Sequence, residues 1–227
     1  MTSKLRIAVV ANANSIHTIR WVAWLKERSH EVCVFSLNEG DNSEYFGPEP
    51  PLNRSTIFNL GRDVRKTTKN LQAKLDEFKP DIVHGFFLTN HGMYSSRITG
   101  YPKVVTVLGS DALISPNESK LMSWIVKKTI KNSNLIISVA DHLNDVVSPW
   151  KKDNVKSITS PLGIDVKKFK PLEKEKLIIF NRGFKEVYSP STLIEAISLI
   201  SDKIKDYKVI MCGDGPLLKE CKNKVDE

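Results

Sequence analysis

The chain has 227 residues, 41% hydrophobic and 26% charged, the composition of a folded globular protein and not of a disordered or fibrous one. No apolar run approaches the ~18 residues needed to cross a bilayer as a helix, and the short apolar stretch near the N-terminus lacks the cleavage pattern of a secretory signal, so a cytoplasmic protein is expected. The net charge of +8 is uneven: residues 1–170 carry 24 Lys and Arg against 16 Asp and Glu, whereas residues 171–227 carry ten of each. The basic first part fits either an anionic partner (a phosphorylated substrate, an acidic lipid surface or nucleic acid) or a solubilising surface. Cys33, Cys212 and Cys221 form no CxxC pair and have no His at metal-ligand spacing; Cys33 and Cys212 fall in strand-like runs and are expected to be buried thiols.

Taken in order, the chain alternates strand and helix patterns. Leu5–Ala11 is a β-branched apolar run that suits a strand buried on both faces. Asn12–His17 is a loop, and Ile16–Arg28 a helix capped by Ser15 with Ile16, Ile19, Val22, Ala23 and Leu25 as its apolar face. Glu31–Leu37 is the second strand. Asn38–Asn53 reads as a loop and Thr56–Asn59 as a short strand. A polar helix covers Asp63–Phe78 and stops at Pro80. Asp81–Phe87 is a strand, Thr89–Ile98 a helix, with His91 read as a surface or helix residue, and Lys103–Val107 a strand ending at Leu108-Gly109-Ser110-Asp111. Ser119–Asn132 is a basic helix with Leu121, Trp124, Ile125 and Thr129 turned to the core. Leu135–Val139, Asp141–Val147 and Val155–Ile158 read as strand, helix, strand. This alternation predicts a doubly wound α/β sheet.

Ser160–Pro171 (SPLGIDVKKFKP) breaks the alternation. Pro161 and Pro171 lack a backbone donor, and the stretch reads as a linker between two domains. Beyond it, Lys176–Phe180, a loop at Arg182–Tyr188, a helix at Pro190–Ser201 (apolar at Leu193, Ala196, Ile197 and Ile200), Tyr207–Cys212 and Leu217–Val225 give βαβα, about half of a second Rossmann-like domain. The expected division is 1–159, a hinge at 160–171, and 172–227.

Several stretches together resemble the GT-B glycosyltransferases, in particular retaining family 4. The opening RIAVVANANSIHTIRWVAWLKERSHEVCVFS is similar to the family's first βαβ unit, with Ser29-His30-Glu31-Val32 at its "GHEV" position. DIVHGF, VVTVLGSD and LIISVADHL are similar to its following strand ends. SPLGIDVKKFKP is close to the "pNGvDxxxFxP" hinge, and TLIEAISLI and VIMCGDGPL resemble the donor-domain helix and glycine turn. The resemblance implies a metal-independent transferase without cofactor. An acceptor-side N-terminal domain, taking a glycan or lipid acceptor, faces a C-terminal domain that binds a nucleotide sugar, and transfer proceeds with retention. It also implies later donor-domain glutamates beyond Glu227, which a partner chain could supply. A GT-B sugar-nucleotide epimerase and a non-catalytic nucleotide-sugar-binding protein are the alternatives.

Ligands of open α/β sheets bind beyond the carboxyl ends of the strands, and the candidate residues all follow strands. Asn12, Asn14, Ser15 and His17 offer donors beside a helix N-terminus, where anions are favoured. Gly109 and Ser110 bring backbone close to a sugar. Asp111 and His84 are the candidate catalytic groups: Asp111 either accepts sugar hydroxyl protons or satisfies local amides, and His84 either reaches the cleft or is a core histidine. Leu108 stands where many relatives carry a histidine near the reacting sugar. Arg182 matches the family's diphosphate-binding arginine, whose fork suits phosphate oxygens, with Lys185 as a second cation and Gly213 and Gly215 allowing close backbone approach. The basic residues are not interleaved with a stacking aromatic series, so nucleic acid is not an expected partner. The basic helix with Trp124 could rest on an acidic membrane from the inner face.

Overall fold

The computed structural model describes residues 3–48 and 57–226. They divide into two compact units, the first ending at Gly163 and the second beginning at Ile164, a boundary inside the Pro/Gly stretch at 160–171.

The first unit runs β1 (Arg6–Val10), α1 (Ile16–Glu27), β2 (Glu31–Ser36), β3 (Ser43–Tyr45), α2 (Ile57–Phe78), β4 (Ile82–Phe86), α3 (His91–Ser95), β5 (Lys103–Val107), α4 (Ser110–Leu113), α5 (Ser115–Glu118), α6 (Lys120–Lys131), β6 (Leu135–Ser138), α7 (Asp141–Val147) and β7 (Lys156–Thr159). The strands form one parallel sheet in the order β3-β2-β1-β4-β5-β6-β7. Both faces of the central strands are covered, which is why they read as continuous apolar runs. Ile7, Val9 and Phe86 pack against α1 through Leu25, Trp21 and Val22. Ala8, Val10 and Val83 face Leu71 and Leu75 of α2 and Tyr94 of α3. Val105, Val107 and Ile136 face Val126 and Ile130 of α6 and Val147 of α7. The strand order turns back between β1 and β4, so the crevice of a doubly wound sheet opens beyond the carboxyl ends of these two strands.

The structure corrects several expectations. The segment expected to be a loop at 38–53 carries β3, which pairs with β2 from Val34↔Ser43 to Ser36↔Tyr45. The short strand expected at Thr56–Asn59 is helical where it is described: α2 begins at Ile57, six residues before the expected Asp63, and Thr56 lies outside the described residues. Helix α1 buries Thr18 and Leu25 and half-buries Trp21 and Val22, leaving Ile16 and Ile19 60% and 51% exposed. Trp21 fixes this face by meeting the His84 and Phe86 rings edge-on at 5.6 and 5.7 Å. Helix α6 buries Met122, Ile125, Val126, Thr129 and Ile130, but Leu121 and Trp124 face outward. His91 lies in helix α3, one of its two expected places, and is buried there, its Nε2 accepting the Leu37 N–H at 3.3 Å. The short helices α4 and α5 follow β5 where the sequence gives only a turn.

The second unit holds β8 (Leu177–Asn181), α8 (Pro190–Ile200), β9 (Lys208–Cys212) and α9 (Leu218–Asp226). Its two strands pair in parallel from Leu177↔Lys208 to Asn181↔Cys212. Among the described residues of this unit only Phe184, Pro190 and Cys221 are buried. The apolar face of α8 is open, with Ile200 and Ala196 exposed, and Cys212 is an exposed thiol instead of the expected buried one. An apolar groove of ≈ 670 Å³ runs between α8, α9 and β9, lined by Leu193, Ile197, Val209, Met211 and Leu218.

Candidate active site

In the first unit, parallel register aligns the strand ends: Val10 pairs with Phe35 and Gly85, Phe86 with Thr106, and Val107 with Ser138. The loops 11–15, 87–90 and 108–110 therefore share one rim. Asn12, Asn14, Ser15, Gly109 and Ser110 all lie on it.

The β1–α1 loop is fastened from two sides. Asn12 Oδ1 accepts the Asn14 N–H at 2.9 Å, and Asn14 Nδ2 donates to the Glu39 carbonyl at 3.1 Å. Ser36 Oγ accepts the N–H groups of Ala13 and Asn38 at 3.2 and 3.1 Å. Ser15 is the N-cap of α1, but its hydroxyl accepts no N–H of the first turn. The start of α1 therefore keeps free donors and a positive dipole end, which suit a negative oxygen. His17 sits in this turn, half-buried, with Nδ1 enclosed and unpartnered.

Asp111 and His84 both make contacts within the protein. The Asp111 side chain is fully buried. One oxygen, Oδ2, accepts the Leu88 N–H at 3.0 Å, and Oδ1 accepts those of Leu108 at 3.1 Å and Gly109 at 2.8 Å. It ties the loop after β4 to the turn after β5. Burial pushes its pKa above the usual carboxylate value, against the opposing pull of the backbone N–H groups. His84 is likewise buried. Its Nε2 lies 2.7 Å from Thr106 Oγ1, its ring is wedged between Trp21 and Phe86, and desolvation lowers its pKa to about 4. A neutral, buried imidazole with these neighbours braces β4 against α1 and β5. Of the two alternatives for each residue, the structure shows Asp111 satisfying local amides and His84 packed among core rings.

The carboxylate leaves the turn itself open. Gly109 has φ +139°, a conformation that side chains rarely adopt, and a Cβ there would meet nothing within 4 Å. The glycine serves backbone conformation, not space. Phe87, read in sequence as the last residue of a strand, is held at φ +71°. Its N–H donates to the Thr106 carbonyl at 3.0 Å, and its carbonyl accepts the Gly92 N–H at 2.9 Å. A bulky residue in the left-handed region marks stored strain at the rim. Single-sequence patterning carries no signal for it, since an apolar residue extending an apolar run is the ordinary strand pattern.

In the second unit, the loops after β8 and β9 interlock. Phe184 donates its N–H to the Asp214 carbonyl, and Leu217 donates to the Phe184 carbonyl, both at 3.0 Å. Gly213 and Gly215 permit this: a Cβ at either would stand 2.3 Å from the Arg182 carbonyl oxygen or 2.4 Å from that of Phe184. The two glycines thus seat the Arg182–Phe184 segment. Arg182 and Lys185 are exposed and have no ion-pair partner among the described residues. The Arg182 guanidinium lies 5.5 Å from the centre of the Tyr188 ring. Helix α8 follows, and the Ser189 side chain at its start makes no cap hydrogen bond. Two free cations, a glycine-built turn and an uncapped helix start on one rim suit a phosphorylated ligand. No group of His, Cys, Asp or Glu that could hold a metal ion occurs among the described residues.

Residues 6–140 match the family model described as glycosyl transferase 4-like. No curated protein matches the sequence. Among solved structures, sucrose-phosphate synthase from Thermosynechococcus elongatus superposes with TM-score 0.62 at 12% identity, covering 93% of this chain and 71% of that one. The UDP-GlcNAc 2-epimerase of Methanocaldococcus jannaschii gives 0.61 at 12% identity over 99% and 69% of the two chains. CalG4, the calicheamicin glycosyltransferase, gives 0.52 at 12% over 97% and 67%. At such identities the likeness is one of fold, and the fold is GT-B.

Proposed function

The chain belongs to the glycosyl transferase 4-like family, and from that premise we propose that it moves a sugar from a nucleotide-sugar donor to a glycan or lipid acceptor, with retention and without a metal ion. The observation that carries the donor half is the pair of exposed, unpaired cations Arg182 and Lys185 on the glycine-built rim of the second unit. Phosphate oxygens would be held by the Arg182 fork and the α8 N-terminus. The acceptor half is assigned to the rim of the first unit, where Asn12, Asn14, Ser15 and Ser110 provide hydroxyl and amide partners and Phe87 provides an apolar wall. The family resemblance alone supports retention. We place the protein in the cytoplasm. The open groove of the second unit supports a further polypeptide segment seated there, as a partner chain would supply.

A second reading, a sugar-nucleotide epimerase, is favoured by the likeness to the 2-epimerase, TM-score 0.61 against 0.62 for the synthase. A third, non-catalytic binding, is favoured by the burial of both Asp111 and His84. Calorimetric titration with nucleoside diphosphates and their sugar conjugates tests the donor assignment. Binding that weakens at least about tenfold in Arg182→Ala, with the fold intact, supports it. Equal binding by Arg182→Ala removes it. Release of the nucleoside diphosphate with the sugar appearing on an added acceptor marks the transferase, and an epimerised nucleotide sugar marks the epimerase.

A further inference from the structure

Helix α6 has two faces that the sheet accounts for only in part. Its inner face is fully used by Met122, Ile125, Val126, Thr129 and Ile130. At 100° per residue, the outward residues Lys127, Lys120, Lys131, Trp124, Lys128 and Leu121 fall in that angular order on one arc of about 120°. All six are exposed, with Trp124 at 53% and Leu121 at 41%. The preceding segment adds exposed apolar side chains: Leu113 and Ile114, 43% and 56% exposed, directly precede α5, which packs on α6. Between Ser110 and Lys131 the exposed acid is Glu118 alone, against four lysines. Beside α6 the Lys127 ammonium lies 5.5 Å from the centre of the Trp150 ring, which Lys151, Lys152 and Asp153 follow.

We propose that the α4–α5–α6 face of the first unit docks on an anionic lipid bilayer. Leu113, Ile114, Leu121 and Trp124 would enter the headgroup layer, and Lys120, Lys127, Lys128 and Lys131 would meet lipid phosphates. The chemistry selects this occupant. A tryptophan flanked by aliphatic side chains and long lysines is the arrangement of an interfacial helix: the ring and aliphatic groups leave water while each lysine stem keeps its ammonium at the phosphate level. Leucine and isoleucine offer no face for a base to stack on, which disfavours a single-stranded nucleic acid. Four lysines against one acid match a negative surface by charge. Helix α4 begins immediately after Gly109, so docking by this face sets the rim formed by the loop 108–110 beside the bilayer. The proposal does not depend on the sugar-transfer reading.

The test is co-sedimentation of the full chain with vesicles of phosphatidylcholine alone and of phosphatidylcholine mixed with phosphatidylglycerol. Binding is expected to the mixed vesicles only, and to vanish at about 1 M salt, where the screening length falls to about 3 Å. Leu121→Ser with Trp124→Ser keeps every charge and is expected to lower the partition roughly tenfold or more. Lys120→Glu with Lys128→Glu and Lys131→Glu abolishes it. All five positions are exposed, and unchanged circular dichroism confirms the fold. Protein that stays in the supernatant at low salt overturns the proposal. So does undiminished binding by the Leu121→Ser, Trp124→Ser variant, which would assign the contact to the open groove of the second unit. So does RNA that binds the chain while vesicles do not.

Discussion

The two units begin from the same sequence grammar and end in opposite states of burial. Val9 in β1 has no exposed surface, whereas Ile179, an equally apolar β8 residue, is 58% exposed. The first sheet has seven strands with helices on both faces; the second has two. A parallel strand is apolar because it expects neighbours on both sides and layers on both faces. Where they are absent, the same residues become an apolar groove and an unpaired sheet edge, which favour association. The lesson is that a strand pattern states what a segment needs, and the surrounding chain decides whether it is met.

The sharpest way to break this comparison is a pair of core truncations. Leu75→Ala, in the fully buried face of α2, is expected to cost about 2–5 kcal/mol by urea unfolding. Ile179→Ala is expected to cost under about 1 kcal/mol, since its side chain is already wet. Equal costs would show that the second unit is as well covered as the first.

Acid is the next probe. His84 and His91 have pKa values lowered by burial from 6.5 to about 4. The unfolded chain binds their protons first, so the stability they carry is full above about pH 6.5 and is lost as pH falls toward 4, by up to about 3 kcal/mol for each. Asp111, with its pKa raised, works in the opposite direction over its own range. Unfolding followed across that window should weaken the first unit steeply. In His84→Phe the slope should be shallower, and an unchanged slope would remove His84 from the account.

Asp111→Ala leaves three N–H groups in the first unit without their acceptor and is expected to cost about 2–4 kcal/mol. Asp111→Asn, which can still accept with its one carbonyl oxygen, should recover part of it. Equal losses in the two would point to space and not to hydrogen bonding. At the small end, Arg182→Ala should leave stability within about 0.5 kcal/mol, because the side chain is exposed. A larger loss would mean that the second unit leans on the Arg182–Tyr188 contact for its fold.

The alternation of strands and helices, the hinge-like stretch and most element positions were legible in the sequence, because hydrophobic period and Pro/Gly placement are local properties. The outward turn of Trp124 and Leu121 was not. An apolar residue in a helix is ordinarily assigned inward, and only the full inner face of α6 shows that no room remained for them. For Asp111 and His84 both readings were legible and the choice between them was not: a carboxylate at a strand end reads the same whether it faces a ligand or three amides. The rim position of Arg182 was legible, since its place after β8 follows from strand and turn alone.

The Asp111 carboxylate has one more consequence. By joining the loop after β4 to the turn after β5, it orders both before any ligand arrives. A ligand arriving at that rim therefore loses little loop entropy on binding. Selectivity there then rests on side chains set on a fixed frame, and exchanging Ser110 or Phe87 retunes the rim without redesigning the loops.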